Sequence, residues 1–193
     1  MRFVGIDPST KTGLVAMDQG GIVLKAKELK GLGSVDPKRI VTLTDEIMAH
    51  VLPGDVICIE GVPFDTQRAA QAGWIHGSIR NALFRRNLSY YEAAPNAVKK
   101  FVNVTGWVGE IGHKKRLVGK DKKLAVMKAV EEHFGFAHAS DNVVDAYILA
   151  EIAKSIWCSG NISNAKPNYQ HEVIDAILNP VTKPKKKKKV AKA

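Results

Sequence analysis

Four acids stand where this chain could do chemistry. Asp7 ends the N-terminal apolar run Phe3-Val4-Gly5-Ile6 and is followed by Pro8, Ser9 and Thr10, the pattern of a buried strand that delivers one carboxylate at its edge. Glu60 ends a second such run, Val56-Ile57-Cys58-Ile59. Asp141 and Asp145 lie one helical turn apart and therefore share a face. Taken singly, each acid has an ordinary explanation: a turn-forming Asp, a solvated Glu, an Asp complementing a helix dipole. Asp145 resists that explanation, because Val143, Val144, Ala146 and Ile148 surround it and a buried acid needs a partner or a metal. Clustered carboxylates do not all ionise without a compensating cation, and hard oxygen donors suit Mg²⁺ or Mn²⁺. Two such ions about 3.5–4 Å apart would clamp an in-line displacement at phosphorus, one activating water and the other stabilising the leaving oxygen. The chemistry expected of these acids, if they meet, is phosphodiester hydrolysis.

The elements that must bring them together follow from the hydrophobic pattern. After Asp7, residues 13–17 read as a second strand and 22–27 as a third, joined by the tight turn Gln19-Gly20-Gly21, which makes an antiparallel meander. Ile40, Leu43, Ile47 and Val51 recur at helical spacing until Pro53-Gly54. The strand that delivers Glu60 then follows a helical crossover and is expected to run parallel to the first. A helix over about 66–86, a short strand at 89–93, a helix opened by Pro95, and helices carrying Val126, Val130 and then Val143 to Ile152 complete the order. Ser140 is placed to cap the helix of Asp141. Gly73 and Gly77, four apart in the long helix, predict either a backbone approached closely by another element, such as a partner subunit, or a bent helix against the sheet. Three antiparallel strands followed by two strands separated by helices is the order of a ribonuclease H-like α/β fold: a mixed five-stranded sheet with helices on both faces. In that order the first strand is central, and Asp7 and Glu60 reach the same edge.

At 193 residues the chain is expected to form one domain with a tail. Residues 1–160 make the domain, 161–179 a linker and last helix, and 180–193 a disordered lysine-rich tail. No stretch reads as a membrane span or signal peptide, and Cys58 and Cys158 read as small apolar residues of a reducing compartment rather than a disulfide or zinc ligands. The expected location is cytoplasmic, although Pro184 to Val190 also resembles a nuclear import signal. Net charge is +10, yet the segment 183–193 holds seven lysines and no acid, leaving the body at +3. Within the body, His113 to Lys123 concentrates positive charge in what reads as one glycine-bearing loop. A charge run is commonly only a solvated face; two of them beside a proposed acidic metal site point to a polyanionic substrate.

Several motifs in series resemble the RuvC-type Holliday junction resolvases. They are Gly5-Ile6-Asp7-Pro8-Ser9, the acid at the end of Val56 to Glu60, the run Ala94 to Val102 leading to Thr105-Gly106, Lys122, and Asp141 through Asp145-Ala146 before an apolar helix. The resemblance covers roughly residues 1–157 and is closer to phage or divergent members in its lengths and lysine tail. It implies a homodimeric, Mg²⁺-dependent endonuclease of DNA recombination and repair that nicks two opposed strands of a four-way junction, leaving 5′-phosphate and 3′-hydroxyl ends. Asp7, Glu60 and Asp145 match the family's metal-binding acids. The family spaces its last two acids three apart, which would select Asn142; this chain offers Asp141 at four, and Asp141 is carried as the fourth. Lys99 and Lys122 match lysines of the scissile region, where a cation would stabilise phosphorane-like charge. Lys100, Lys114, Lys115, Arg116, Lys120 and Lys123 are expected to meet the DNA backbone. Phe64 stands slightly displaced from where the family places an aromatic wedge, and the segment Trp107 to Gly119 is longer than the family's usual link.

Three other readings share some of these features. A nuclease of the same fold could act on flaps, forks or RNA–DNA hybrids. A non-catalytic junction-binding protein would use only the basic segments. The actin and sugar-kinase superfamily shares the strand order, but here Pro8-Ser9 replaces its phosphate-gripping glycine and the chain is too short for two lobes.

Overall fold

The computed structural model describes residues 1–62, 69–109, 113–158 and 167–180. Strands β1 (Phe3–Asp7), β2 (Thr12–Met17) and β3 (Val23–Leu29) form the meander. Helix α1 (Lys38–Met48) crosses to β4 (Val56–Glu60), and α2 (Ala69–Arg85) crosses to β5 (Tyr90–Ala93). The sheet order is β3-β2-β1-β4-β5, with β1 antiparallel to β2 and parallel to β4. The meander, both crossovers and the central position of β1 are as the apolar pattern requires.

Alternation along the strands sorts side chains to two cores. Val4, Ile6, Leu14, Ala16, Ile57 and Ile59 face α1 and α2, where Leu43, Ile47, Ile79 and Leu83 meet them. Phe3, Val15, Met17 and Cys58 face the opposite side. That side is covered by α3 (Pro95–Phe101), α4 (Gly119–Phe134), α5 (Asp141–Cys158) and α6 (Asn168–Leu178). Helix α5 buries twelve of its eighteen residues and lies directly on β1, β2 and β4, as a helix buried on several sides must. Two glycines set its depth. A Cβ at Gly5 would collide with the Ala146 carbonyl, and one at Gly13 with the Asn142 carbonyl.

Helix α6 belongs to the same core: Val173 and Ile174 are buried, and Gln170 Nε2 donates to the Phe101 carbonyl at 3.1 Å. The basic stretch 113–123 is not one loop. Trp107–Val108 (β6) and Lys115–Arg116 (β7) pair as a small antiparallel hairpin, and Gly119 starts α4. A positive φ at Gly119, 53°, turns the chain from extended strand into helix. Among the described residues, no helix is long and apolar enough to cross a membrane. Phe64 and residues 181–193, with the lysine tail, lie outside the described residues.

Candidate active site

Strand parity decides where the acids go. In the parallel register Phe3 faces Val56, Gly5 faces Cys58 and Ile6 faces Ile59, so the next step places Asp7 beside Glu60. Both continue the row that points toward α5, since Phe3 and Cys58 pack in the α5 core. On α5, Asn142, Ala146 and Ala150 touch the strands through the two glycines. Asp141 and Asp145 lie one position before Asn142 and Ala146, beside this seam and over the same sheet edge.

Asp7 is buried, while Glu60 and Asp145 are half-buried. Burial raises the Asp7 carboxyl well above the ordinary carboxylate range, and the negative charges of Glu60 and Asp145 raise it further. Asp7 and Glu60 lie within hydrogen-bonding reach of each other. Burial pushes Glu60 up to about 7 against the opposing pull of Lys99, with Asp145 adding to the rise. Burial likewise pushes Asp145 to about 6; Lys99 opposes this and Asp141 adds to it. The acids are electrostatically one unit, and Lys99 is their shared counter-charge.

Lys99 comes from the last turn of α3 and donates to the Pro95 carbonyl at 3.1 Å. Helix α4 supplies Lys122 and Lys123 on the other side of a cleft of about 190 Å³, whose wall also carries Lys99, Asp141 and Asp145 over Val126 and Val144. Lys123, read from the sequence as a DNA contact, is ion-paired with Asp141, and that pairing raises the lysine's proton affinity. Lys100 is ion-paired with Glu172 of α6. Lys114, Lys115 and Arg116 are exposed on or beside the hairpin, and Lys120 is exposed at the start of α4. Asn142, the alternative fourth position, has its carbonyl under Gly13 and directs its amide to Glu28 Oε2 at 3.5 Å. Ser140 precedes α5 as expected, but its hydroxyl donates to Glu28 Oε2 at 2.6 Å. His138 Nδ1 accepts from the Ser140 N–H.

Among the described residues, no three His, Cys, Asp or Glu side chains form a ready-made coordination shell. One of the four acids, Asp141, is engaged by Lys123. The donor set nevertheless fits a divalent cation. It consists of carboxylate oxygens, and their burial with too little positive charge is the deficit that Mg²⁺ or Mn²⁺ would offset.

Sequence reasoning did not find Gly5 and Gly13 as the determinants of α5 placement. The signal was available, because both glycines fall on the strand row that carries Asp7 inward. It also did not find the hairpin with Trp107, or Tyr169, which lines a second cavity beside the cleft.

No family model matches the chain, and no curated protein matches it. Among solved structures it is similar to Thermus thermophilus RuvC in complex with Holliday junction substrate. That alignment has a TM-score of 0.56 and 18% sequence identity and covers 83% of this chain and 96% of that chain. A second T. thermophilus RuvC structure aligns over the same shares at 23% identity with a TM-score of 0.48. At 18% identity the first likeness speaks for a shared ribonuclease H-like architecture.

Proposed function

We propose that this chain is a divalent-metal-dependent endonuclease that resolves four-way DNA junctions by paired phosphodiester hydrolysis. One observation carries the reading: Asp7, Glu60, Asp141 and Asp145 converge from three elements on one sheet edge, bordered by Lys99 and Lys122. The fold on which they converge is similar to that of a RuvC bound to Holliday junction substrate.

Asp7, Glu60 and Asp145, with Asp141 as fourth donor, would hold two Mg²⁺ or Mn²⁺ ions, which supply an activated water and neutralise charge on the leaving oxygen. The chain's own residues do the rest. The sheet and α5 keep the carboxylates out of bulk water, where their interactions with a cation are strong. Lys99, tethered by the Pro95 carbonyl, favours the ionised form of all three inner acids. Lys122 places a second positive charge across the cleft, where it stabilises the extra negative charge of a five-coordinate phosphorus. The exposed cations of β7 and α4 track the flanking backbone, and the lysine tail adds sequence-independent attraction.

Paired cuts need two active sites, and we place the dimer contact on α2. Trp74 and Phe84 are 63% and 80% exposed there, and neither Gly73 nor Gly77 has any neighbour within 4 Å of where a Cβ would stand. Within the described chain nothing uses the close approach those glycines permit. The setting is recombination or repair of DNA in the cytoplasm of a bacterial or phage-infected cell.

A gel assay on a synthetic four-way junction, with duplex, flap, fork and RNA–DNA hybrid controls, tests this. Symmetric nicks that require Mg²⁺ and disappear with EDTA and with Asp7→Asn are expected. Binding without cutting in either Mg²⁺ or Mn²⁺ would sink the reading, and cutting restricted to flap or hybrid would keep the metal site and overturn the substrate.

A further inference from the structure

Beside the acidic cleft lies a larger cavity of about 670 Å³, and the two share Lys99, Gly119 and Lys122 as a common wall. Its size falls within the range of about 300–1,000 Å³ typical of sites for small organic groups. Two aromatic side chains line it, Trp107 from β6 and Tyr169 from the first turn of α6, together with Arg116, Asn96 and Asn103. Neither aromatic belongs to the acid site.

Both aromatics sit on anchored backbone. Thr105 Oγ1 donates to the Trp107 carbonyl at 2.8 Å and accepts from the Trp107 N–H at 3.3 Å. The hairpin is closed by the pairing of Trp107 with Arg116 and by the bond from Leu117 N–H to the Gly106 carbonyl at 2.8 Å. Tyr169 is positioned by the neighbouring Gln170, whose amide reaches the Phe101 carbonyl, and by the ion pair of Lys100 with Glu172. Yet Trp107 remains 54% exposed, so an indole held on ordered backbone presents much of its surface to the cavity side and to solvent.

Aromatic faces next to cations are the combination that binds unpaired nucleotides: rings stack on bases while cations meet phosphates. Asn96 and Asn103 add amides that carry both a donor and an acceptor, the groups a base edge requires. We propose that this cavity holds one unstacked nucleobase, that of a nucleotide flanking the scissile phosphate. Trp107 and Tyr169 are its stacking surfaces, and the cavity thereby sets which position is cut. The proposal rests on the nuclease reading above and deepens it. The shared wall of Lys99 and Lys122 fixes the occupant, because a strand whose phosphate lies between those lysines carries its neighbouring base to this cavity. Within an intact duplex that base is stacked and paired; at a branch point it is free to turn out. The cavity therefore favours branched over linear DNA and reads one base as it does so.

The test uses the full chain with Asp7→Asn, which stops cutting, in Mg²⁺. Short oligothymidylate strands and abasic strands of equal length and charge are compared by fluorescence anisotropy and by quenching of tryptophan emission. Base-bearing strands are expected to bind more tightly and to quench. Trp107→Ala or Tyr169→Ala is expected to weaken them by roughly 5- to 100-fold with little change for abasic strands. Trp107→Phe should restore affinity while removing its share of the quenching. In the otherwise wild-type chain, Trp107→Ala should spread junction cuts over several positions. Equal binding of abasic and base-bearing strands, unchanged by Trp107→Ala, would overturn the proposal even if junctions are cut. Base-dependent binding lost in Trp107→Ala, on a chain that cuts no junction, would support the cavity as a nucleotide site and remove the nuclease reading alone.

Discussion

The two ends of the central strand pair carry the same residue type in opposite circumstances. At the amino end of β4 the Asp55 carboxylate is buried, and the Arg2 guanidinium grips it in a fork at 2.9 and 2.7 Å while the Leu52 N–H donates at 2.8 Å. Three donors satisfy it, and the guanidinium in turn holds its proton more tightly. At the carboxyl end of the same strands, Asp7 and Glu60 are pressed together with one lysine shared among three acids, and their proton affinities rise. One carboxylate closes the fold. The others lack matching positive charge, which is the circumstance the proposed cation would relieve.

That contrast can be broken in stages. The largest effect is expected from Asp7→Asn, which removes a proposed metal ligand without changing volume: cleavage should fall by about 10²–10³-fold or more. Circular dichroism should show the fold kept, and a variant that still cuts at near wild-type rate would place the metal elsewhere. Arg2→Ala should do the reverse, leaving Asp55 buried without its partner. Urea denaturation is expected to show a loss of about 1–3 kcal/mol, with metal affinity unaltered in the fraction that remains folded.

The pH dependence of the metal-free protein separates the ends further. Glu60 and Asp145 are raised to about 7 and 6, so the folded chain keeps protons that the unfolded chain has already released. Their contribution to stability is therefore greatest at low pH and is lost as pH rises through about 6–7. Melting in EDTA should show a midpoint that falls across this window, a shallower fall in Asp7→Asn, and recovery on adding Mg²⁺, whose affinity should strengthen over the same range. A flat profile would mean that the acids are already compensated. The smallest effect is expected from Lys99→Met. Because Lys99 lowers the proton affinity of Asp7, Glu60 and Asp145, its loss should move the rising limb of the pH–rate profile to higher pH, beyond any fall in the plateau.

Much of this was legible beforehand. The sheet order followed from which apolar runs are joined by turns and which by helices, and β1 to β5 lie where those rules put them. Asp7 and Glu60 could be placed together from order alone. The basic stretch was misread as one loop because Lys115, Arg116 and Lys120 say nothing local about strand or helix. The break falls at Gly119, where a positive φ separates β7 from α4. Ser140 stands at the N-cap where its type puts it, with its carbonyl accepting from the Val144 N–H, but the partner of its hydroxyl, Glu28, is 112 residues away in the chain and no local pattern names it.

By itself the sequence determined the alternation that sends Phe3, Gly5 and Asp7 to one face, the helical spacing that aligns Asp141 with Asp145, and the excess of lysine. These are properties of neighbours along the chain, and period and charge encode them directly. Only the tertiary structure decided how deep α5 lies, which lysine each acid meets, and that Trp107 and Tyr169 line one cavity. Those outcomes join residues tens of positions apart, and their distances depend on close packing, in which a single absent Cβ at Gly5 or Gly13 moves a helix and the carboxylates it carries.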